Sequence, residues 1–127
     1  MPADEPHDQR GELGRRGERL AADFLRQRGH IIVEQNYRKK FGEIDIITKD
    51  GDTLVFVEVK TRSNERYGGA AAAVTTKKQR QITKAALEYI AGQPSQIAAR
   101  FDVVCVTIDA LGQLQCSLIE NAFEAAL

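Results

Sequence analysis

The stretch GEIDIITKDGDTLVFVEVKTR, residues Gly42–Arg62, predicts two β-strands joined by a tight turn at residues 50–52. Charged residues interrupt its apolar runs, because Asp45 stands among isoleucines and Glu58 and Lys60 stand among valines. A carboxylate or an ammonium group is costly to bury unless it is paired or binds a cation. We therefore expect the fold and the function to be organised around this hairpin.

The register of the hairpin determines whether the two carboxylates lie together. Side chains alternate between the faces of a strand, so Glu58 and Lys60 share one face. A two-residue loop, at either residues 50–51 or residues 51–52, places Asp45 on that same face. A regular three-residue loop places Asp45 on the opposite face. The sequence leaves these outcomes open.

A shared face would make Asp45 and Glu58 a candidate metal site. Two adjacent carboxylates repel each other, and one of them takes a proton unless a cation lies between them. Oxygen ligands without histidine suit Mg²⁺ or Mn²⁺. Lys60 lies about 7 Å along the strand from Glu58, where its ammonium can reach a water molecule or a phosphate oxygen. These groups suit phosphodiester hydrolysis; the alternative is a purely structural ion-pair network.

The composition predicts one soluble globular domain, since 43% of the 127 residues are hydrophobic and 28% are charged. Residues 1–10 contain two prolines and no periodic pattern, which predicts a disordered tail before a domain at residues 11–127. No apolar run approaches the roughly 20 residues of a membrane span, and no signal-peptide pattern begins the chain. We expect a cytoplasmic protein without a membrane partner, in which Cys105 and Cys116 stay reduced.

Basic residues are unevenly distributed, although the net charge is zero. Between Lys60 and Lys84 there are seven basic residues and one acidic residue, which predicts either a nucleic-acid-binding face or a solvated helix face. No aromatic residues are interleaved as a platform for single strands, so duplex or branched DNA is the expected partner. The candidate DNA-contacting residues are Arg38, Lys39, Lys40, Arg62, Arg66, Lys77, Lys78 and Arg80.

Periodicity and turn residues predict seven elements in the order α-β-β-β-α-β-β, which indicates an α/β fold with a mixed five-stranded sheet flanked by helices. A mobile loop is expected at residues 63–73, and the ending ENAFEAAL can form a short helix. The predicted elements are a helix at Leu13–Arg28 capped by Gly29, strands at Ile31–Tyr37, Glu43–Thr48 and Thr53–Lys60, a helix at Thr76–Ala91, and strands at Arg100–Ile108 and Leu114–Ile119.

Asp45 followed by Glu58-Val59-Lys60, after a helix that carries Glu18, resembles the PD-(D/E)xK nuclease superfamily with its restriction-endonuclease-like core. Within that superfamily the arrangement is most similar to the Holliday-junction-resolvase type. Longer segments, which together span about residues 11–120, are similar to the small bacterial YraN-type proteins. These segments are GRRGERLAADFL at 14–25, NYR at 36–38, GEIDII at 42–47, FVEVKTR at 56–62, VTTKKQR at 74–80 and RFDVV at 100–104.

The resemblance implies a Mg²⁺- or Mn²⁺-dependent DNA endonuclease that acts on duplex or branched DNA, and by analogy a homodimer. Asp45, Glu58 and the Val59 carbonyl would hold the metal, with Glu18 as a further candidate ligand. Lys60 would position the attacking water. The implied catalytic residues are Glu18, Asp45, Glu58, Lys60 and Gln79. The alternative is a non-catalytic nucleic-acid-binding or partner-binding module that retains the nuclease fold.

Overall fold

The computed structural model describes residues 5–62 and 74–126, including the side chains of residues 11–62 and 74–126. The elements follow in the order α-β-β-β-α-β-β, which confirms the predicted order. Within the described residues, no helix is long and apolar enough to cross a membrane. The elements are α1 Glu5–Gln27, β1 Ile31–Lys39, β2 Gly42–Asp50, β3 Thr53–Arg62, α2 Thr76–Ile90, β4 Ala98–Ile108 and β5 Leu114–Phe123.

The five strands form one mixed sheet in the order β1-β2-β3-β4-β5. Strand β3 pairs with β4 in parallel, and the other three neighbouring pairs are antiparallel. A parallel pair needs a long crossover, and the segment that contains α2 makes this connection. The loop predicted at residues 63–73 belongs to the same connection and lies outside the described residues.

Each face of the sheet is covered by one helix. Alternate residues of β3 point to opposite sides, so Phe56 packs with Ile82 of α2, whereas Val57 packs with Leu25 of α1. These four side chains are at most 2% exposed and belong to two separate apolar clusters. A sheet that is covered on both faces explains why its central strands read as nearly continuous apolar runs.

Helix α1 begins earlier than the sequence predicts, at Glu5 rather than Leu13. Residues 5–10 belong to this helix, and residues 1–4 lie outside the described part. Pro6 is compatible with this start. Backbone N–H groups in the first turn of a helix have no intrahelical acceptor, so the N–H that proline lacks is not needed there. The predicted end is confirmed: Gly29 has φ +94°, and the His30 N–H donates to the Leu25 carbonyl at 3.0 Å.

The first connection is a tight hairpin, because β1 continues to Lys39, beyond its predicted end at Tyr37. Arg38 and Lys39 extend β1 and lie opposite Glu43 and Gly42 in β2. The turn is reduced to residues 40–41. Pairing with the neighbouring strand recruits these basic residues, which have little strand preference of their own.

The C-terminal segment is a strand and not the predicted short helix. Strand β5 continues to Phe123 because the Asn121 N–H donates to Asp102 Oδ1 at 3.0 Å. The Phe123 ring also stacks on Phe101, with ring centroids 5.0 Å apart. These contacts with β4 outweigh the local helix preference of the glutamates and alanines.

Candidate functional site

The turn between β2 and β3 has two residues, Gly51 and Asp52. Gly51 has φ +63°, a backbone conformation that such hairpin turns require and that glycine adopts without strain. Continued along the strands, this register places Asp45 opposite Glu58. Of the alternatives that the sequence leaves open, the structure therefore adopts the loop at residues 51–52.

The pairing of β2 with β3 extends from Asp50 back to Ile46 and stops before Asp45. Ile44 packs in the cluster beneath α2 and Ile46 in the cluster beneath α1, although residues two apart in a regular strand share a face. In β1, Asn36 lies across from this point with φ +54°. Asp45 Oδ2 instead accepts a hydrogen bond from the Val59 N–H at 2.8 Å. The carboxylate thus fills the gap where the two strands separate.

Glu58 is the buried member of the pair, with only 5% of its surface exposed. Lys60 Nζ lies 3.7 Å from Glu58 Oε2, and Lys78 Nζ from α2 lies 4.0 Å from the same oxygen. Within the described residues, Glu58 Oε1 is buried and has no hydrogen-bond partner. With both carboxyl groups ionised this atom is an unsatisfied acceptor, which either a cation or a proton shared with Asp45 can satisfy.

Burial and mutual repulsion disfavour the ionised forms of these carboxyl groups. The pKa of Glu58 is raised to about 7, first by burial and then by the charge of Asp45, while Lys78 and Lys60 oppose the shift. Burial also raises the pKa of Asp45, against the Val59 N–H that stabilises its anion. In the absence of a cation, the pair can therefore hold a shared proton.

Glu18 reaches the neighbourhood of this pair from α1. Gly17 allows the approach, because a Cβ atom there would collide with Thr61 Oγ1 in β3. Partial burial, and then the charges of Asp45 and Glu43, raise the pKa of Glu18, which shows that it lies in the field of the site. The predicted role of Glu18 in the site stays a prediction.

The described residues contain no group of three or more His, Cys, Asp or Glu side chains that could hold a metal ion. Glu18 therefore does not complete a cluster with Asp45 and Glu58. Mg²⁺ nevertheless commonly uses only one or two carboxylates and keeps several water molecules. The unpartnered Glu58 Oε1 and the facing Asp45 fit that kind of site.

Gln79 and Lys78 lie in the first turn of α2. Lys78 lies close to Glu58, whereas the side chain of Gln79 hydrogen-bonds to the backbone before the helix. The Gln79 side chain donates to the Val74 carbonyl at 2.9 Å, so it secures the residue that precedes the helix cap. Its predicted catalytic role stays a prediction. Thr75 Oγ1 caps the helix by accepting from the Lys78 N–H at 3.1 Å.

Lys78 is the residue that sequence reasoning placed only among the DNA contacts. Its position next to Glu58 depends on how α2 packs against the sheet, and the spacing of the motif does not reveal it. The available signal was its place in the first turn of the helix that follows the carboxylate-bearing strand. The structure thus gives Glu58 two ammonium neighbours, Lys60 and Lys78.

A cavity of about 380 Å³ lies between the β1–β2 turn and α2. We call it the basic groove; it is lined by Arg38, Lys39, Lys40, Phe41, Gly42, Glu43, Lys78 and Gln81, and the Glu43 carboxylate pairs with Arg38 at 3.2 Å. It unites four of the eight predicted DNA-contacting residues. Of the others, Lys77 and Arg80 are exposed on α2, Arg62 ends β3, and Arg66 lies outside the described residues.

Comparison with known proteins identifies relatives along almost the whole chain. The model of the "Uncharacterised protein family UPF0102" matches residues 17–106, which include all five candidate catalytic residues. A UPF0102 protein of Geobacter metallireducens is 51% identical over 116 residues, covering 90% of this chain and 93% of the relative. UPF0102 protein GSU0650 of Geobacter sulfurreducens is 46% identical over 127 residues, covering 99% of each chain. UPF0102 protein STH1475 of Symbiobacterium thermophilum is 48% identical over 114 residues, covering 89% of this chain and 97% of the relative. The chain therefore belongs to the UPF0102 family, the YraN-type proteins.

Proposed function

We propose that this protein is a divalent-metal-dependent DNA endonuclease that hydrolyses phosphodiester bonds in duplex or branched DNA. One observation carries the proposal: Asp45 and Glu58 meet where β2 and β3 separate, and two ammonium groups lie within 4.0 Å of Glu58. The resemblance of Asp45 and Glu58-Val59-Lys60 to the PD-(D/E)xK nucleases supports the same chemistry.

Asp45 and Glu58 would hold Mg²⁺ or Mn²⁺, with the Val59 carbonyl as a further oxygen donor. The unpartnered Glu58 Oε1 supports this assignment, because a cation would satisfy an acceptor that the protein leaves without a donor. A bound divalent ion supplies positive charge at the scissile phosphate and makes a water molecule a better nucleophile.

The lysines would act on the phosphate and the water. The Lys60 side chain is 33% exposed, so its ammonium contacts Glu58 while remaining accessible to DNA. Lys78 brings a second ammonium from α2. Positive charges fixed in this way stabilise the negative charge that develops as the phosphodiester is attacked. The basic groove would hold neighbouring phosphates through contacts that depend on salt and carry no sequence specificity.

The test is cleavage of supercoiled plasmid and of a four-way DNA junction in Mn²⁺. We expect Asp45→Asn and Lys60→Ala each to lower the cleavage rate by roughly 100-fold or more. Asp45→Asn is the informative variant, because its remaining oxygen can still accept from the Val59 N–H while the charge is lost.

Asp23→Asn is the matched control, since Asp23 is an exposed carboxylate on α1 that pairs with Arg26 at 3.0 Å. It should cut as well as the wild type. Equal cleavage by the wild type, Asp45→Asn and Lys60→Ala would identify a contaminating nuclease and refute the proposal.

A DNA-binding or partner-binding module that does not cut is the second candidate. Its supporting observation is that Glu58 already has two ammonium neighbours, while the described residues contain no larger metal-ligand cluster. This candidate predicts salt-dependent DNA binding that a chelator does not diminish. It also predicts that calorimetry detects no divalent-ion binding at millimolar concentrations.

A further inference from the structure

Phe41 is an aromatic side chain that neither apolar cluster of the fold uses. It lies in the turn between β1 and β2, and 54% of its surface is exposed. Lys40 Nζ and Lys84 Nζ lie 5.7 Å and 5.5 Å from the centre of its ring. Both ammonium groups lie over the ring as cation–π contacts, and the described residues show no carboxylate paired with either lysine. A base that stacks on the ring must therefore displace an ammonium group, which can then pair with a flanking phosphate.

The backbone that carries Phe41 is held firmly against α2. A Cβ atom on Gly42 would lie 2.5 Å from the Gln81 carbonyl oxygen, so the hairpin contacts the helix with no room between them. Lys39 also pairs with Glu88 of α2 at 3.8 Å. The ring is thus presented from a fixed position, which reduces the entropy lost when a ligand binds.

The basic groove connects this ring with the carboxylates. Phe41 and Lys78 both line the groove, and Lys78 Nζ lies 4.0 Å from Glu58 Oε2. A strand whose phosphates follow the groove would therefore have one end beside the ring and a phosphodiester near Asp45 and Glu58.

We propose that Phe41 is a stacking platform for an unpaired DNA base, which makes branched or flapped DNA the preferred substrate over an uninterrupted duplex. Bases in a duplex are stacked on their neighbours, whereas an unpaired base has a face free for an aromatic ring. The lysines beside the ring complement the phosphates that flank such a base. The proposal rests on the proposed function for its choice of DNA.

A platform at Phe41 differs from the expectation that the chain has no aromatic platform for single strands. The sequence shows Phe41 directly after Lys39 and Lys40, but Lys84 and Lys78 join it only when α2 packs beside the hairpin.

The chain contains no tryptophan, so Phe41→Trp introduces a single fluorescent reporter at the platform. The variant is titrated in EDTA with a short duplex and with the same duplex carrying a single-stranded thymidine flap. We expect the flap to quench the fluorescence and the blunt duplex to leave it nearly unchanged. The control is Leu111→Trp, at a residue that is 83% exposed in the β4–β5 connection, which should show no quenching. Equal quenching by both DNAs, or equal quenching of both variants, would refute the proposal.

Fluorescence anisotropy of labelled DNA, measured in EDTA, gives the contribution of Phe41 to DNA affinity. Stacking of one base is worth about 1–3 kcal/mol, so Phe41→Ala should weaken flap binding about 5- to 150-fold. Binding to the blunt duplex should change less than about 2-fold, and Phe41→Tyr should bind the flap like the wild type. An equal loss of affinity for both DNAs, or no loss of affinity for the flap, would refute the proposal that Phe41 is a stacking platform.

The two proposals fail in distinguishable ways, because platform binding is measured without cleavage. If Asp45→Asn cuts normally while Phe41→Ala loses only flap binding, the endonuclease is refuted and the platform stands. If Asp45→Asn abolishes cleavage while Phe41→Ala binds the flap normally, the endonuclease stands and the platform is refuted.

Discussion

Glu58 combines burial, a neighbouring carboxylate and two ammonium groups in one side chain. Its pKa rises from 4.5 to about 7, because burial and the charge of Asp45 disfavour the ionised carboxylate more than the charges of Lys78 and Lys60 favour it. The folded protein therefore holds a proton at pH values where the unfolded chain has released it. A group of this kind destabilises the fold in its ionised form and is retained in proteins chiefly where function uses it.

The pH dependence of stability follows from that shift. In EDTA, the free energy of unfolding should fall by about 3 kcal/mol as the pH rises from about 4.5 to about 7, and this contribution should be constant above that range. The raised pKa of Asp45 acts in the same direction. The measurement is urea denaturation at a series of pH values.

Glu58→Gln should remove most of this fall and should make the protein more stable than the wild type at pH 8 without metal. Glu124→Gln, at an exposed position beyond β5, should leave the pH profile unchanged. A wild-type profile that is flat between pH 5 and 7 would contradict the assignment of a raised Glu58 pKa.

At the scale of elements, α1 is placed against β3 by a glycine. Gly17 faces Thr61, which is next to Lys60, and the absence of a side chain lets the helix approach. Glu18 follows at once in the chain and thereby enters the field of Asp45. Gly14 lies one turn earlier in the same helix, and a Cβ atom there would meet nothing within 4 Å.

Gly17→Ala and Gly14→Ala should consequently have opposite effects on stability. Gly14→Ala should stabilise the protein by about 0.5–1 kcal/mol, because alanine loses less backbone entropy in a helix. Gly17→Ala should destabilise it by about 1–3 kcal/mol, because the new methyl group collides with Thr61.

Urea denaturation of the two variants checks this prediction, and cleavage assays should show lower activity only for Gly17→Ala. Equal stabilisation by both substitutions would show that α1 does not approach β3 as closely as the structure places it.

At the scale of the whole molecule, a second polar cluster lies at the opposite end of β2 and β3 from Asp45 and Glu58. The Arg100 guanidinium binds Asp50 at 2.9 Å and the fully buried Asp102 at 3.1 Å. Asp50 Oδ2 also lies 3.8 Å from Nε2 of the buried His30, whose Nδ1 contacts Thr48 Oγ1 at 2.8 Å. This cluster ties β2 and β4 together, and with His30 it also reaches the residue before β1.

Arg100→Met should therefore destabilise the fold by about 3–5 kcal/mol, because it leaves the Asp102 carboxylate buried without its counter-charge. Arg80→Met, at an exposed position on α2, should change the free energy of unfolding by less than about 0.5 kcal/mol. Chemical denaturation of both variants makes the comparison. Similar unfolding midpoints for the two would mean that the cluster contributes little.

The sequence predicted the hairpin elements well because their signals are local. Apolar runs interrupted by single charges marked β2 and β3, and residues 50–52 marked the turn between them. Errors occurred where distant contacts outweighed local preference: Arg38 and Lys39 join β1 by pairing with β2, and the segment ending at Phe123 joins β5 by pairing with β4. The candidate carboxylates were likewise recognisable in the sequence, as charges within apolar runs.

The order of the elements, the α/β class and the candidates Asp45, Glu58 and Lys60 are readable from local sequence, since periodicity and misplaced charge are properties of neighbouring residues. The register of the hairpin and the packing of Ile44 and Ile46 in different apolar clusters are visible in the tertiary structure alone. The tertiary structure also decided that Lys78 meets Glu58 and that Phe41 stands between lysines. The physical reason is that these contacts join segments far apart in the chain, and their geometry is set by the packing of α2 and the β1–β2 hairpin against the sheet.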